Sequence, residues 1–292
     1  MHAALFDLCR RYADAHADRS GLAVTPVPGL TIIRALRPAE LQAAINRPLI
    51  AMLLQGRKRV TTGSRSFEYG PGEAMVIAAD VPTSSQIIQA SLRHPYYSLV
   101  LELDTAILRE LQDAAPAEQG DTPRVGIEPI GAEVTDAAYR LARLFEQREA
   151  MSVLGEGLRR ELHYWLLRSV HGAAIRALGA ADSHSGRISR AVAILRKDFT
   201  RAISVEELAG AAGMSVSVFH QHFRAITTTS PLQFQKQLRL IHARHLMLAD
   251  GTGIAQAAYA VGYASIPQFT REYARMFGTP PGRDMRAAKE ST

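Results

Sequence analysis

Two short runs in the last third of this 292-residue chain carry side chains suited to reading a nucleic acid. The first holds Ser217, His220, Gln221 and Arg224. The second holds Gln268, Arg271, Glu272 and Arg275. In each run the spacing i, i+3, i+4, i+7 puts all four residues on one stripe of a helix. Their chemistry is hydrogen bonding to base edges and phosphates. Glutamine can pair with adenine N6 and N7, and arginine with guanine O6 and N7. Gln268 and Arg271 are therefore candidate base readers in a major groove, as are Ser217, His220 and Gln221. Arg224 and Arg275 lie at the far ends of their helices and suit phosphate contact.

The flanking residues supply the elements that must hold these stripes. Ser204 is placed to cap a helix ending near Ala212, with Glu207 set to complete a capping box. Gly213 makes the turn, and Ser215 caps the next helix. Phe219 and Phe223, at i and i+4, face inward. The pattern then recurs: Gly213, Ser215, Phe219, Phe223, Ile226 and Pro231 are echoed by Gly262, Ser265, Phe269, Tyr273, Met276 and Pro281. The offset is 49 residues at the glycine and 50 from the serine onward. Between the units, Pro231–Ala249 reads as one long helix, capped by Ser230, with Pro231 at its first position and Gly251 beyond its end. The pattern predicts two helix-turn-helix units, about residues 205–226 and 253–276, on one connector. Such a pair can enter successive major-groove segments about 34 Å apart on one face of double-stranded DNA.

The doubled unit resembles the AraC/XylS family of transcriptional regulators. Leu208 through Arg224, Val261-Gly262-Tyr263-Ala264-Ser265 and Phe269-Thr270-Arg271-Glu272-Tyr273 carry the likeness, with Phe277-Gly278-Thr279-Pro280-Pro281 resembling the family's ending. It spans roughly residues 188–287. The resemblance implies that the outer faces of the helices starting at Ser215 and Ser265 contact bases. Three features depart from the family pattern: Pro267 early in the second recognition helix, Ile266 beside it, and the run Thr227-Thr228-Thr229, where the family often has a charge and a glycine.

Charge follows the same division. Residues 1–182 carry 20 Lys and Arg against 21 Asp and Glu, while residues 183–292 carry 14 against 7. The whole excess behind the net charge of +6 lies in the C-terminal third, as expected for a module that meets a polyanion. The basic residues Arg187, Arg190, Arg196 and Lys197 flank the apolar stripe of a helix over 187–199. The small, polar stretch Gly179–Gly186 reads as the linker between domains 1–182 and 187–292.

The first domain reads differently. A short amphipathic helix spans about 3–16. Short strands follow from Thr31 to Leu103, separated by Gly63-Ser64, Gly70-Pro71-Gly72, Asp80-Val81-Pro82 and His94-Pro95. That texture predicts an antiparallel barrel or sandwich. Thr105–Ala114 reads as helix, Ala115–Ile130 as a long loop, and Thr135–Met151 and Leu154–Leu178 as two helices. In the last, Leu158, Leu162, Trp165, Leu166 and Ser169 form a stripe that either packs on the barrel or makes a homodimer. Leu53 through Val60, Tyr69-Gly70-Pro71-Gly72-Glu73 and Leu101-Glu102-Leu103-Asp104 are similar to the sensor module of a subset of the same family. That likeness implies a cupin-like barrel binding a small organic effector. The expected fold class is α+β: a cupin-like antiparallel barrel with flanking helices, then an all-α DNA-binding domain.

Several function classes are disfavoured. Gly-x-Ser-x-Gly, Gly-x-Gly-x-x-Gly and P-loop motifs are missing, and His94 is the only histidine between Thr31 and Asp104. No enzyme activity, cofactor or metal is expected. Cys9 excludes an internal disulfide and reads as buried rather than as a redox sensor. No apolar run suits a membrane span, and the first residues lack a signal-peptide core, so a cytoplasmic location with no membrane partner is expected. RNA polymerase is a further candidate partner. The alternatives are a barrel used only for dimerisation, or a catalytic cupin fused to a DNA reader.

Overall fold

The computed structural model describes residues 1–112, 114, 123–180 and 183–290, without the side chains of 288–290. The chain divides into two compact units, one of Met1–Gln42 with Asn46–Gly186, the other of Ala43–Ile45 with Arg187 onward.

The first unit opens with α1 (His2–His16). Nine strands follow: β1 (Leu22–Val24), β2 (Leu30–Ala35), β3 (Gln42–Asn46), β4 (Leu49–Gln55), β5 (Arg57–Thr62), β6 (Arg65–Tyr69), β7 (Glu73–Ile77), β8 (Val81–Gln89) and β9 (Tyr96–Glu102). Then come α2 (Thr105–Glu110), β10 (Val125–Pro129), α3 (Ala132–Ala142), α4 (Arg148–Leu167) and α5 (Gly172–Gly179). The strands form two sheets, of order β1-β2-β9-β4-β7-β10 and β3-β8-β5-β6. The expected cupin-like architecture is thus a two-sheet sandwich rather than one continuous closed barrel. The chain crosses between sheets at Gly56, between β4 and β5, with φ +93°. A Cβ there would sit 2.6 Å from the Gln89 carbonyl oxygen, so only glycine fits.

The six-stranded sheet is covered on both faces. Leu30, Ile32, Ile50, Met52, Val76 and Leu99 pack against Leu5 and Cys9 of α1 and Leu162 and Leu166 of α4. Each such side chain, fully buried, contributes about 1.5–3 kcal/mol. The alternate residues Leu53, Met75, Tyr96 and Ser98 are buried too, and β6 touches β7 and β10 of the other sheet. Cys9 is fully enclosed, and burial pushes its thiol pKa up to about 12.

Two expectations are corrected. Of the stretch read as loop, 115–122 lies outside the described residues, but Val125–Pro129 is an edge strand paired antiparallel with β7, Val125 opposite Ile77. Its glycine and proline suggested a loop, yet an edge strand tolerates Pro129. Gly126 makes room for His171, whose Nε2 lies 2.4 Å from where a Cβ would be. The two helices expected over 135–178 are three. The chain turns between α4 and α5 at Ser169–His171, where Glu128 accepts from the backbone N–H of His171 at 3.1 Å and lies 2.9 Å from its Nδ1. Strands β1 and β3 carried no sequence signal strong enough to place them. The stripe of Leu158, Leu162, Trp165 and Leu166 packs into this unit's own core.

The second unit is helical: α6 (His184–Asp198), α7 (Val205–Ala212), α8 (Val216–Thr227), α9 (Pro231–Ala249), α10 (Ile254–Ala260), α11 (Ile266–Phe277) and α12 (Pro281–Glu290). Ser204 caps α7 through the Glu207 N–H, but the capping box expected there does not close, because the Glu207 carboxylate pairs with Arg201. A full box forms instead at Ser230 and Gln233, where α9 begins with Pro231.

Candidate nucleic-acid interface

α7–α8 and α10–α11 are the two helix-turn-helix units. Each turn passes through a left-handed glycine, Gly213 at φ +61° and Gly262 at φ +88°. Each second helix starts at a serine whose Oγ accepts a backbone N–H, Ser215 from Val218 at 3.5 Å and Ser265 from Gln268 at 3.4 Å. Pro267 falls in the first turn of α11, where its missing N–H costs nothing.

The inward faces are aromatic. Phe219, Phe223, Phe269 and Tyr273 are fully buried. Phe219 and Phe223 lie 5.3 Å apart between ring centroids, and Phe223 meets Phe234 of α9 edge-on at 5.6 Å. In the second unit, Phe269 sits 5.3 Å from Tyr263 and 5.5 Å from Tyr273. With these rings anchored, the opposite stripes must face outward. Ser217, His220, Gln221 and Arg224 on α8 are exposed, as are Gln268, Arg271 and Arg275 on α11. Arg224, Arg271 and Arg275 have no hydrogen bond or ion pair among the described residues.

Most other cations of this unit are already engaged. Arg187 donates to the Ala212 carbonyl at 2.8 Å and to that of Gly213, and Arg190 to Ala211 at 3.1 Å. Arg239 of α9 donates to Phe199 at 2.7 Å, to Thr200 at 3.0 Å and to Gly262 at 3.1 Å. These guanidiniums satisfy carbonyls at helix ends that have no partner within the helix. Arg187 and Arg190, expected on a free basic face, therefore brace the turn. Arg201, Lys236 and Arg244 are matched with carboxylates.

Glu272 departs from its expected place on the outer stripe. Its side chain is 12% exposed and folds back beneath the helix. Lys236 donates to it at 2.7 Å, Tyr263 at 2.7 Å and Gln268 at 3.3 Å. Burial alone would raise its pKa. The hydrogen bonds from Lys236, Tyr263 and Gln268 outweigh burial and hold the carboxyl below its usual range. Glu272 thus locks α11 onto α9. A second lock joins Tyr273 and Arg244 at Asp284 of α12, with Tyr273 donating at 2.5 Å and Arg244 at 2.8 and 3.2 Å. Sequence reasoning missed both clusters, because Lys236 and Glu272 stand 36 residues apart and no local pattern joins them.

His242 stacks on Phe199 at 4.3 Å, and burial lowers its pKa. Among the described residues no three His, Cys, Asp or Glu side chains converge, and no helix is long and apolar enough to cross a membrane.

The geometry defines a helix-turn-helix protein, and a helix-turn-helix domain family model matches residues 208–287. The family describing the N-terminus of AraC-type transcriptional regulators matches residues 26–174, about half of the chain, and the chain belongs to that family. The transcriptional activator NphR of a Rhodococcus species is 25% identical over 259 residues, 86% of this chain and 73% of NphR. The activator RhaS of Escherichia fergusonii is 26% identical over 111 residues, which is 38% of this chain and only 40% of RhaS. Among solved structures, an apo variant of ToxT from Vibrio cholerae aligns with a TM-score of 0.60 at 11% identity, over 88% of this chain and 97% of ToxT. ToxT with an unsaturated fatty acid bound aligns at 0.59 and 12%, over 88% and 95%. These last two likenesses are of fold.

Proposed function

We propose that this protein is a sequence-specific transcriptional regulator that binds double-stranded DNA through α8 and α11. One observation carries the reading: in both units a serine-capped helix turns its aromatic face inward and leaves uncommitted arginines, Arg224, Arg271 and Arg275, on the exposed face. Ser217, His220, Gln221, Gln268 and Arg271 are the proposed base readers, and Arg224 and Arg275 the phosphate contacts. The protein acts in the cytoplasm on chromosomal DNA and performs no catalysis of its own. Residues 1–182 are the sensor module and 187–292 the DNA-binding module.

In the same proposal, a small organic effector bound in the first unit controls the second. The fatty acid held by ToxT, a protein of the same fold, supports that assignment. Such an effector acts by binding the DNA-competent and DNA-incompetent states unequally. A homodimer and contact with RNA polymerase complete the proposal. The dimer must use a surface other than the Leu162 and Leu166 stripe, which is already buried. Genome-wide mapping of the DNA bound by the full chain tests the central claim. A shared sequence motif at promoters is expected, and occupancy with no motif would overturn it.

A further inference from the structure

In β5, Lys58, Val60 and Thr62 alternate with Arg57, Arg59 and Thr61. Val60 and Thr62 are buried, and the period-two rule puts Lys58 on their face, inside the sandwich. Its cross-strand neighbours are Tyr69 on β6 and Ile87 on β8, both buried. Tyr96 of β9 closes the same end. Its ring lies 3.0 Å from where a Cβ on Gly56 would be, two residues before Lys58. The Tyr69 and Tyr96 phenols meet each other there.

This cluster has two unanswered polar groups. The Lys58 ammonium has no hydrogen bond or ion pair among the described residues, and the buried Tyr96 hydroxyl, close to Tyr69 and Ser98, forms no well-aligned hydrogen bond with either. The nearest carboxylate along the hairpin, Glu68, is on the opposite face and pairs with Arg59 at 2.5 Å. The cross-strand neighbours of Lys58, Tyr69 from β6 and Ile87 from β8, are neutral, as is Tyr96 from β9 at the same end. Burial alone lowers the Lys58 pKa from 10.5 to about 8. Burial is also the main cause that raises both phenols, with Tyr96 adding to the rise at Tyr69 and Ser98 and Tyr69 partly opposing it at Tyr96, so they stay protonated. Lysine is rarely enclosed without a counter-charge, because desolvating an unpaired ammonium is costly. Lys58 is nevertheless half-buried rather than sealed.

Resting on the reading that the first unit holds an effector, we propose that the effector is an organic monocarboxylate, gripped by the Lys58 ammonium and the Tyr96 hydroxyl within the sandwich. An ammonium and a hydroxyl at one end of the sandwich can each donate to one oxygen of a carboxylate. One ammonium balances one negative charge, which favours a monoanion over a phosphate dianion. Val60 and Ile87, beside the ammonium, suit an apolar body behind the carboxylate.

Calorimetry and thermal melting of the full chain test this with benzoate, phenylacetate and octanoate, against benzyl alcohol, 2-phenylethanol and octan-1-ol. At least one acid should bind at pH 7, and its matching alcohol at least tenfold more weakly. Binding takes up a proton once Lys58 is neutral, so affinity should fall about tenfold between pH 7 and pH 9. Lys58→Met should abolish the response while raising the melting temperature of the unliganded protein. Lys58→Gln and Tyr96→Phe serve as milder variants. Alcohols that bind as well as the acids would overturn the carboxylate assignment and leave effector control standing. Acid binding unchanged in all three variants would overturn the site. If no acid and no alcohol binds, the proposal and the effector reading both fail, with DNA binding untouched.

Discussion

Thr228 and Gly278 end the two recognition helices in the same left-handed conformation, fifty residues apart, with φ 65° and ψ 4° at the threonine and φ 75° and ψ −5° at the glycine. Thr228 is the one non-glycine residue with positive φ among the described residues. For a β-branched side chain this region is strained. The backbone bond that the position serves is the same in both units, from its N–H to the carbonyl of Arg224 or of Ala274. Thr228→Gly should therefore stabilise the second unit, by about 1 kcal/mol after allowing for glycine's greater freedom in the unfolded chain. Urea denaturation followed by circular dichroism measures it. A loss of stability would show that the threonine side chain contributes more than the strain removes.

The two turn glycines should differ in sensitivity. A Cβ on Gly262 would lie 2.1 Å from the Thr200 carbonyl oxygen, a backbone atom that Arg239 also holds. At Gly213 the nearest atom is Arg187 Nη2 at 3.0 Å, the far end of a flexible side chain. Both alanine variants suffer the positive φ, but only Gly262→Ala must move backbone. We expect a cost of roughly 1 kcal/mol at Gly213 and of about 2–4 kcal/mol at Gly262. Equal losses in denaturation midpoint would rule out the contact with Thr200 as the cause.

Local signals made the second unit legible in the sequence. Gly213 and Gly262, Ser215 and Ser265, and Phe219 and Phe269 act within one or two turns of their own helices, so spacing alone places them. What the sequence left unread depends on partners far along the chain. β10 is a strand because Val125 finds Ile77. Glu272 leaves the outer stripe because Lys236 and Tyr263 draw it inward. Glu207 forgoes the capping box because Arg201 is within reach. The same reason hid Lys58, whose place between Arg57 and Arg59 gives no local sign of its face; the pairing with Tyr69 fixes it.

The locks beneath α11 should make it sensitive to acid. Burial would raise the Asp284 pKa, but hydrogen bonds from Arg244 and Tyr273 outweigh it and hold the carboxyl below its ordinary 3.8. Glu272 is likewise held below 4.5. A carboxyl depressed in the folded state adds stability that is fully present above its unfolded pKa and is lost as pH falls through the folded value. Stability from these two groups should thus be constant from pH 7 to about 5 and decline below about 4.5. Amide exchange of the α11 backbone across that range reports it. Asp284→Asn should flatten the decline at the expense of stability at pH 7, and an unchanged pH profile in that variant would remove Asp284 from the account.

The proposed roles of the outer stripe of α11, base reading and phosphate holding, can be separated by experiment. Arg271 lies one turn after Gln268, in the body of the helix, while Arg275 is in the last turn. Both are exposed and unpaired among the described residues, so their removal should leave the fold intact. Gln268 differs, because Glu272 already accepts from its amide nitrogen at 3.3 Å, which leaves its carbonyl oxygen freer for a base donor. DNA selected from a random-sequence pool by the full chain supplies the site. Arg271→Ala should then weaken binding to that site by roughly 1–3 kcal/mol and relax selectivity at one position. Arg275→Ala should weaken selected and random DNA alike and reduce the salt slope by about one, the release of one phosphate contact. Titrations of both DNAs at several salt concentrations distinguish the roles. If Arg271→Ala lowers the slope and spares selectivity, Arg271 holds phosphate instead. If neither substitution changes binding to either DNA in a folded protein, this face does not meet DNA.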